Sequence, residues 1–209
     1  QHMKKFMRTA VAMICMLSIS VGSAGMVVYA AGENQQKSVY YEEYKKIVEE
    51  VSSDTDVELT LLPAEDFADE DWRTPDEFEK TVKAFAMAEI AVNKNDDMAD
   101  LVSETRYAVA TSKNVSFIVE NTADVTIKIK ADFSTQYHAE RQYISMVSNI
   151  SSSKATDTGT WQETGSNYLL IDAGRTAQIS VSGNLSYAGV SQKKIITVEF
   201  YCGATGGVS

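Results

Sequence analysis

The chain has 209 residues, 44% of them hydrophobic and 23% charged, with a formal net charge of −10. That is the composition of an ordinary globular chain, and it excludes wholesale disorder. The charge is uneven: residues 1–32 carry +3, residues 33–105 carry −14 and residues 106–209 carry +1. The acidic middle third therefore repels nucleic-acid phosphate and anionic membrane, and no nucleic acid is expected as a partner.

Gln1 and His2 precede Met3, the expected natural start. Lys4, Lys5 and Arg8 are followed by an uncharged run over residues 9–31 and then by polar Gly32-Glu33-Asn34. A positive start, an apolar run and small residues before a polar stretch make a secretory signal peptide over residues 1–30. Cleavage is expected after Ala30, with Ala24 as the second site, so the mature protein is expected to be extracellular. The alternative is an uncleaved N-terminal helix anchoring the protein, because an apolar run of about 20 residues spans a bilayer. The membrane is a partner only through this presequence. Cys15 lies within it and lacks the small preceding residue of a lipoprotein. Cys202 is then the lone thiol, unable to form an internal disulfide.

Residues 31–105 read as an acidic helical segment. Tyr40, Tyr44, Ile47, Val48 and Val51 follow helical spacing, with Glu42, Glu43, Lys46, Glu49 and Glu50 on the other face. Ser52-Ser53-Asp54 ends that helix, and Val57, Leu59 and Leu61 alternate as a short extended piece before Pro63. Thr74-Pro75-Asp76-Glu77 is a helix start, with Thr as N-cap, Pro at the first helical position and Glu reaching back to the cap. Phe78, Val82, Phe85, Ala86 and Ile90 carry the helix to about Val92. Asp96 or Asp97 caps a short third helix to about Ser103. The apolar faces of the first two helices are expected to pair with each other or to dock on a sheet.

From residue 106 the period changes to two, and residues 106–209 read as an antiparallel β-domain. Val115, Phe117 and Val119 form one strand; Asn121 to Asp124 turns the chain into Val125, Ile127, Ile129, Ala131 and Phe133. Tyr143 to Ile150 is a strand with two competing inward faces, Tyr143/Val147 and Ile144/Met146, followed by a polar loop from Ser151 to Gly159. Thr160 to Gln162, Asn167 to Ile171, Ala177 to Val181, Leu185 to Tyr187 and Ile196 to Phe200 are further strands. Asp172-Ala173-Gly174 and Gly183-Asn184 are read as turns. Short strands without intervening helices predict an α+β protein, a helical segment followed by an antiparallel β-sandwich, with a small β-barrel as the alternative.

No motif marks catalytic residues or a cofactor. Glu65, Asp66, Asp69, Glu70 and Asp71 lack the Gly-containing pattern of a calcium loop and read as a solvated acidic linker, so no metal is expected. His138, the one histidine after His2, has no local signature of a nucleophile or orienting carboxylate. A carboxylate pair for a hydrolase would be drawn from Glu120, Asp132, Glu140, Glu163, Asp172 and Glu199. Among the aromatics, Trp161, Tyr168 and Tyr201 are the candidate binding residues, since such side chains present an apolar face with a polar tip. Trp161 has the stronger claim to a core position, and Tyr201, out of phase with Ile196, Val198 and Phe200, to a surface one. Cys202 is in phase with those three and is expected to be buried; the alternative is a disulfide-linked dimer. Asn114, Asn149 and Asn184 open N-x-S triplets.

Two stretches, Tyr41-Glu42-Glu43-Tyr44 through Trp72-Arg73-Thr74-Pro75-Asp76-Glu77-Phe78 and Gly174-Arg175-Thr176 through Val198-Glu199-Phe200-Tyr201, resemble uncharacterised small secreted proteins of Gram-positive bacteria. The resemblance implies export and a helical segment before a β-domain, and no activity. The expected function is a secreted non-catalytic binding module for a cell-surface component or another protein. The alternatives are a small extracellular carboxylate-dependent hydrolase and a secreted toxin or bacteriocin-like effector.

Overall fold

A computed structural model describes residues 25–93, 108–119 and 123–209. Residues 37–209 form one compact unit, and residues up to 36 belong to another, in which the chain is helical from Gly25. The elements in order are helix α1 (Gly25–Thr55), strand β1 (Leu59–Leu61), two single 3-10 turns, helix α2 (Pro75–Ala86) and strands β2 (Glu89–Asn93), β3 (Ala108–Val119), β4 (Ala123–His138), β5 (Arg141–Lys154), β6 (Thr160–Ile171), β7 (Thr176–Tyr187) and β8 (Val190–Tyr201). No helix among the described residues is long and apolar enough to cross a membrane. The expected signal cleavage site and the expected third helix lie outside the residues described in full.

The strands make two four-stranded antiparallel sheets, ordered β1-β8-β7-β6 and β2-β3-β4-β5. Neither closes into a barrel; they stack as a sandwich, the α+β architecture expected. Val115, Phe117, Ile127, Ile129 and Phe133 of one sheet and Ala177, Ile179, Val181, Val198 and Phe200 of the other are buried in a shared core. The rings of Phe133 and Phe200 meet across it with centroids 5.0 Å apart. Alternation drives this: every second residue of a strand faces inward, so period-two apolar runs pack sheet on sheet.

The helices complete the same core rather than standing apart. Tyr44, Val48 and Val51 of α1 and Phe78, Val82 and Phe85 of α2 are buried with the sandwich residues. Tyr44 stacks on Phe78 with centroids 3.8 Å apart, and its hydroxyl bonds both backbone groups of Arg73, donating to the carbonyl and accepting from the N–H. Burial pushes the Tyr44 phenol above its ordinary pKa. The α2 carbonyl of Phe85 accepts a 3.1 Å bond from Gln192 Nε2, inside the sandwich.

Several boundaries differ from the sequence reading, some for a local reason and some because a distant strand draws the residues into pairing. Helix α2 stops at Ala86, and Ile90 belongs to strand β2, paired opposite Phe117. The extended piece at Leu59 and the residues after α2 are strands of the sheets, so the region read as a helical segment supplies one strand to each. The competing faces of β5 are resolved by a bulge: Ile144 opposes Thr135 but Met146 opposes Ser134, so Ser145 is extra and both Ile144 and Val147 point inward. The polar loop begins later than expected, because β5 runs to Lys154. Thr160 to Ile171 is one strand with a bulge between Glu163 and Gly165. Gly183-Asn184 is no turn; β7 passes straight through it, and the chain reverses at Ala188-Gly189, both with positive φ.

Candidate functional site

The three aromatics singled out from the sequence are not brought together. Trp161, opposite Leu185 in the register, faces inward from β6 and is half-buried against the core. Its Nε1–H donates to Ser152 Oγ at 2.8 Å, and Glu163 accepts from the Ser152 N–H and hydroxyl, so this group ties β6 to β5. Tyr168, opposite Ile179, shares Trp161's face but lies at the outer strand of its sheet, 42% exposed. Tyr201, opposite Thr176, points out of the other face of the sheet and is 50% exposed.

Tyr201 heads a distinctive surface. The outward positions of β6, β7 and β8 align in rows across the sheet: Gln162, Asn184 and Lys193; Asn167, Ser180 and Thr197; Leu169, Gln178 and Glu199. Ser182, Ser186, Ser191, Thr160 and the exposed Ile195 share that face, and Lys193 and Glu199 are the charged residues that these strands place on it. The Tyr201 hydroxyl donates to Glu199 Oε2 at 2.6 Å, and Gln178 Nε2 donates to the other carboxylate oxygen at 3.4 Å. Ser180 and Thr197 share a 2.9 Å hydrogen bond. The bond to Glu199, and then that carboxylate's charge, push the Tyr201 phenol above its usual pKa. The phenol is the donor of this pair and Glu199 the acceptor.

A concavity lies where the β7–β8 turn meets the 3-10 turns and the loop after β5. It is a cleft of about 510 Å³ with Asp66, Glu70, Asp71, Asp157 and Arg73 on its walls. Asp71 Oδ2 accepts the Ala68 N–H at 3.0 Å, and burial raises the Asp71 carboxyl above its ordinary pKa. Of the carboxylates named from the sequence, Glu120 lies outside the described residues. Asp132 accepts from Asn149, Asp172 from Thr176, and Glu163 and Glu199 are engaged as above. His138 is exposed at the β4–β5 hairpin, opposite Arg141. Cys202 is buried, and burial raises its thiol pKa. Among the described residues no three His, Cys, Asp or Glu side chains converge as a metal-ligand set.

Gln178 and Ser180 were not singled out from the sequence, and Asp71 was read there as part of a solvated acidic linker and not as the wall of a cleft. The alternation of Gln178, Ser180, Ser182, Asn184 and Ser186 with apolar residues carries the signal for the first two. The walls of the cleft come from segments far apart in the chain, which no local pattern connects. Comparison with family models, curated proteins and solved structures returns no match.

Proposed function

We propose that this protein is a secreted, non-catalytic binding module that engages a cell-surface glycan through the outer face of β6, β7 and β8. The observation that carries the reading is the composition of that face. It sets hydroxyls and amides around two exposed apolar side chains, Leu169 and Ile195, with one lysine and one glutamate and an exposed tyrosine beside a carboxylate and an amide. Uncharged polyols are recognised by such convergent donors and acceptors, with a ring supplying an apolar platform. The N-terminal signal and the resemblance to secreted Gram-positive proteins support the compartment. Purified protein should sediment with isolated cell-wall polysaccharide, and Tyr201→Ala should release it. Sedimentation left unchanged by Tyr201→Ala and by Gln178→Ala would remove this face from the function.

A second reading, a carboxylate-dependent hydrolase, is favoured by one arrangement: the cleft gathers Asp66, Glu70, Asp71 and Asp157, and burial raises the Asp71 carboxyl above its ordinary pKa, the direction in which a general acid is tuned. It predicts release of reducing sugar from wall polysaccharide, abolished by Asp71→Asn. Polysaccharide recovered uncleaved after prolonged incubation would leave the binding reading alone.

A further inference from the structure

The two sheets are unequal on one side. Strand β1 pairs only with Val190 to Gln192, and the C-terminal segment takes over at Tyr201, whose N–H and carbonyl bond Ser209 at 2.7 and 3.0 Å. Between those points, from Lys193 to Phe200, no described residue pairs with β8 on the side away from β7. The shortness of β1 has a local cause. The chain enters β1 from α1 through Asp56, at φ 55°, and the Ser52 hydroxyl accepts the Leu59 N–H, so the residues that would lengthen β1 are taken up by the helix and its end.

The opposite sheet responds to the gap. Ile90 and Val92 of β2 pair opposite the fully buried Phe117 and Val115 and so face inward, yet they are 52% and 49% exposed. On β8, Lys194 also faces inward, opposite Gly183; its ammonium lies 5.8 Å from the centre of the Phe117 ring. Among the described residues no carboxylate pairs with it, and burial lowers its pKa. Lys193 is exposed beside it, and Lys113 reaches over Phe200 and Tyr201 at the far end of the gap, 5.4 and 5.5 Å from the ring centres. The carboxylate at this edge, Glu199, is engaged by Tyr201 and Gln178.

We propose that the β8 edge from Lys193 to Phe200 is a docking site for an extended, carboxylate-bearing segment of a partner protein, which joins the sheet in line with β1. Main-chain hydrogen bonds to a free edge supply affinity, and alternate side chains supply specificity. Apolar side chains at the middle of the incoming strand's inward face cover Ile90 and Val92, carboxylates at the ends of that face meet Lys194 and Lys113, and a carboxylate on its outward face meets Lys193. The lysines also select the occupant. Edge lysines oppose pairing with an identical edge, because two copies bring like charges face to face, whereas an acidic strand meets opposite charge. The edge borders the outward face assigned to glycan and shares Lys193 with it, while protection of the β8 edge amides is a readout that belongs to this site alone.

The test is NMR-detected amide exchange on the chain mixed with a strand-forming peptide that alternates valine and glutamate at its centre and carries glutamates at both ends, with the same peptide bearing lysine for glutamate as control. The acidic peptide should slow exchange at amides between Lys193 and Phe200, bind at least about tenfold more tightly than the control, and weaken with added salt. The double variant Lys193→Glu, Lys194→Glu should reverse the preference. If that variant misfolds, the salt dependence of the unaltered chain decides instead. Exchange unchanged at the edge, equal binding of both peptides, or protection that grows with chain concentration alone, marking a second copy as the occupant, would each overturn the proposal.

Discussion

Gly183 has no side chain because the Trp161 indole occupies the space beside it. A Cβ built there would lie 2.5 Å from the ring and 2.6 Å from the Gln162 carbonyl. Both are closer than real atoms approach, and the carbonyl belongs to the neighbouring strand and is hard to displace. Gly183→Ala should therefore cost about 1–3 kcal/mol, the range for an over-packed core, seen as a lower urea midpoint. A midpoint within error of the unaltered chain would mean that the indole is free to swing away. This residue also shows why the sequence misleads here: Gly-Asn between two apolar runs has the chemistry of a hairpin turn, and what makes it a mid-strand position is an indole 22 residues upstream. The true turn uses Gly189, at φ 78°, where the Phe67 ring would lie 2.3 Å from a Cβ. Tyr201 is the contrasting case, since its surface position follows from its phase against Phe200 alone. Its raised pKa has a named cause, so Glu199→Gln should move the phenol back toward its ordinary titration, measured by ultraviolet absorbance between pH 9 and 12. An unmoved titration would mean that the hydrogen bond to Glu199 does not persist in solution.

At the level of elements, the start of α2 was the most legible feature of the chain and the end of it among the least. Thr74 and Glu77 make the cap anticipated from their spacing: the Thr74 N–H and hydroxyl donate to Glu77 Oε2 at 3.1 and 2.8 Å. A cap is local chemistry, complete within four residues, and needs no knowledge of the fold. The helix end is set by tertiary demand, because Ile90 keeps helical phase with Phe78 and Phe85 yet is drawn into pairing with Phe117. The cap carries a pH signature. Hydrogen bonds from the Thr74 side chain and backbone hold the Glu77 carboxyl below its usual pKa. Its contribution to stability is thus complete above the ordinary glutamate range and is lost as pH falls through the lowered value. Glu77→Gln keeps an acceptor but not the charge. The melting-temperature gap between the two proteins should be present at pH 7 and shrink toward pH 3, and a gap constant over that interval would exclude the ionised cap. The α1–α2 contact rests on Tyr44 in a different way. Tyr44→Phe keeps the ring stack on Phe78 but leaves the Arg73 N–H and carbonyl without the hydroxyl, at a cost of about 1–3 kcal/mol. Equal stability of Tyr44→Phe and the unaltered chain would show water replacing the hydroxyl.

At the scale of the whole molecule, the sharp change of charge and periodicity near residue 106 marks a change of composition rather than a break in the fold. The acidic part contributes β1 to one sheet, β2 to the other and two helices whose buried faces merge with the sandwich core. Local patterns revealed each of those helical faces, but not that they share one interior, since pairing between distant segments leaves no periodic trace. The consequence is testable by cutting the chain where its composition changes. A fragment of residues 106–209 keeps β3 to β8 but loses β2, which covers one edge of β3, and loses Phe78, Val82 and Phe85 from the core. It also leaves the buried Gln192 amide without the Phe85 carbonyl that accepts its N–H, and an unmet buried polar group costs about 1–3 kcal/mol by itself. Against a total stability of about 5–15 kcal/mol for a domain, the loss of that burial together with an orphaned amide should leave the fragment without a cooperative thermal transition, while residues 37–209 melt in one step. The same coupling predicts that limited proteolysis near Ser52 destabilises the sandwich instead of releasing it intact. A fragment 106–209 that melts cooperatively at the temperature of the longer chain would show that the sandwich carries its own stability and that the helices are attached to it without completing its core.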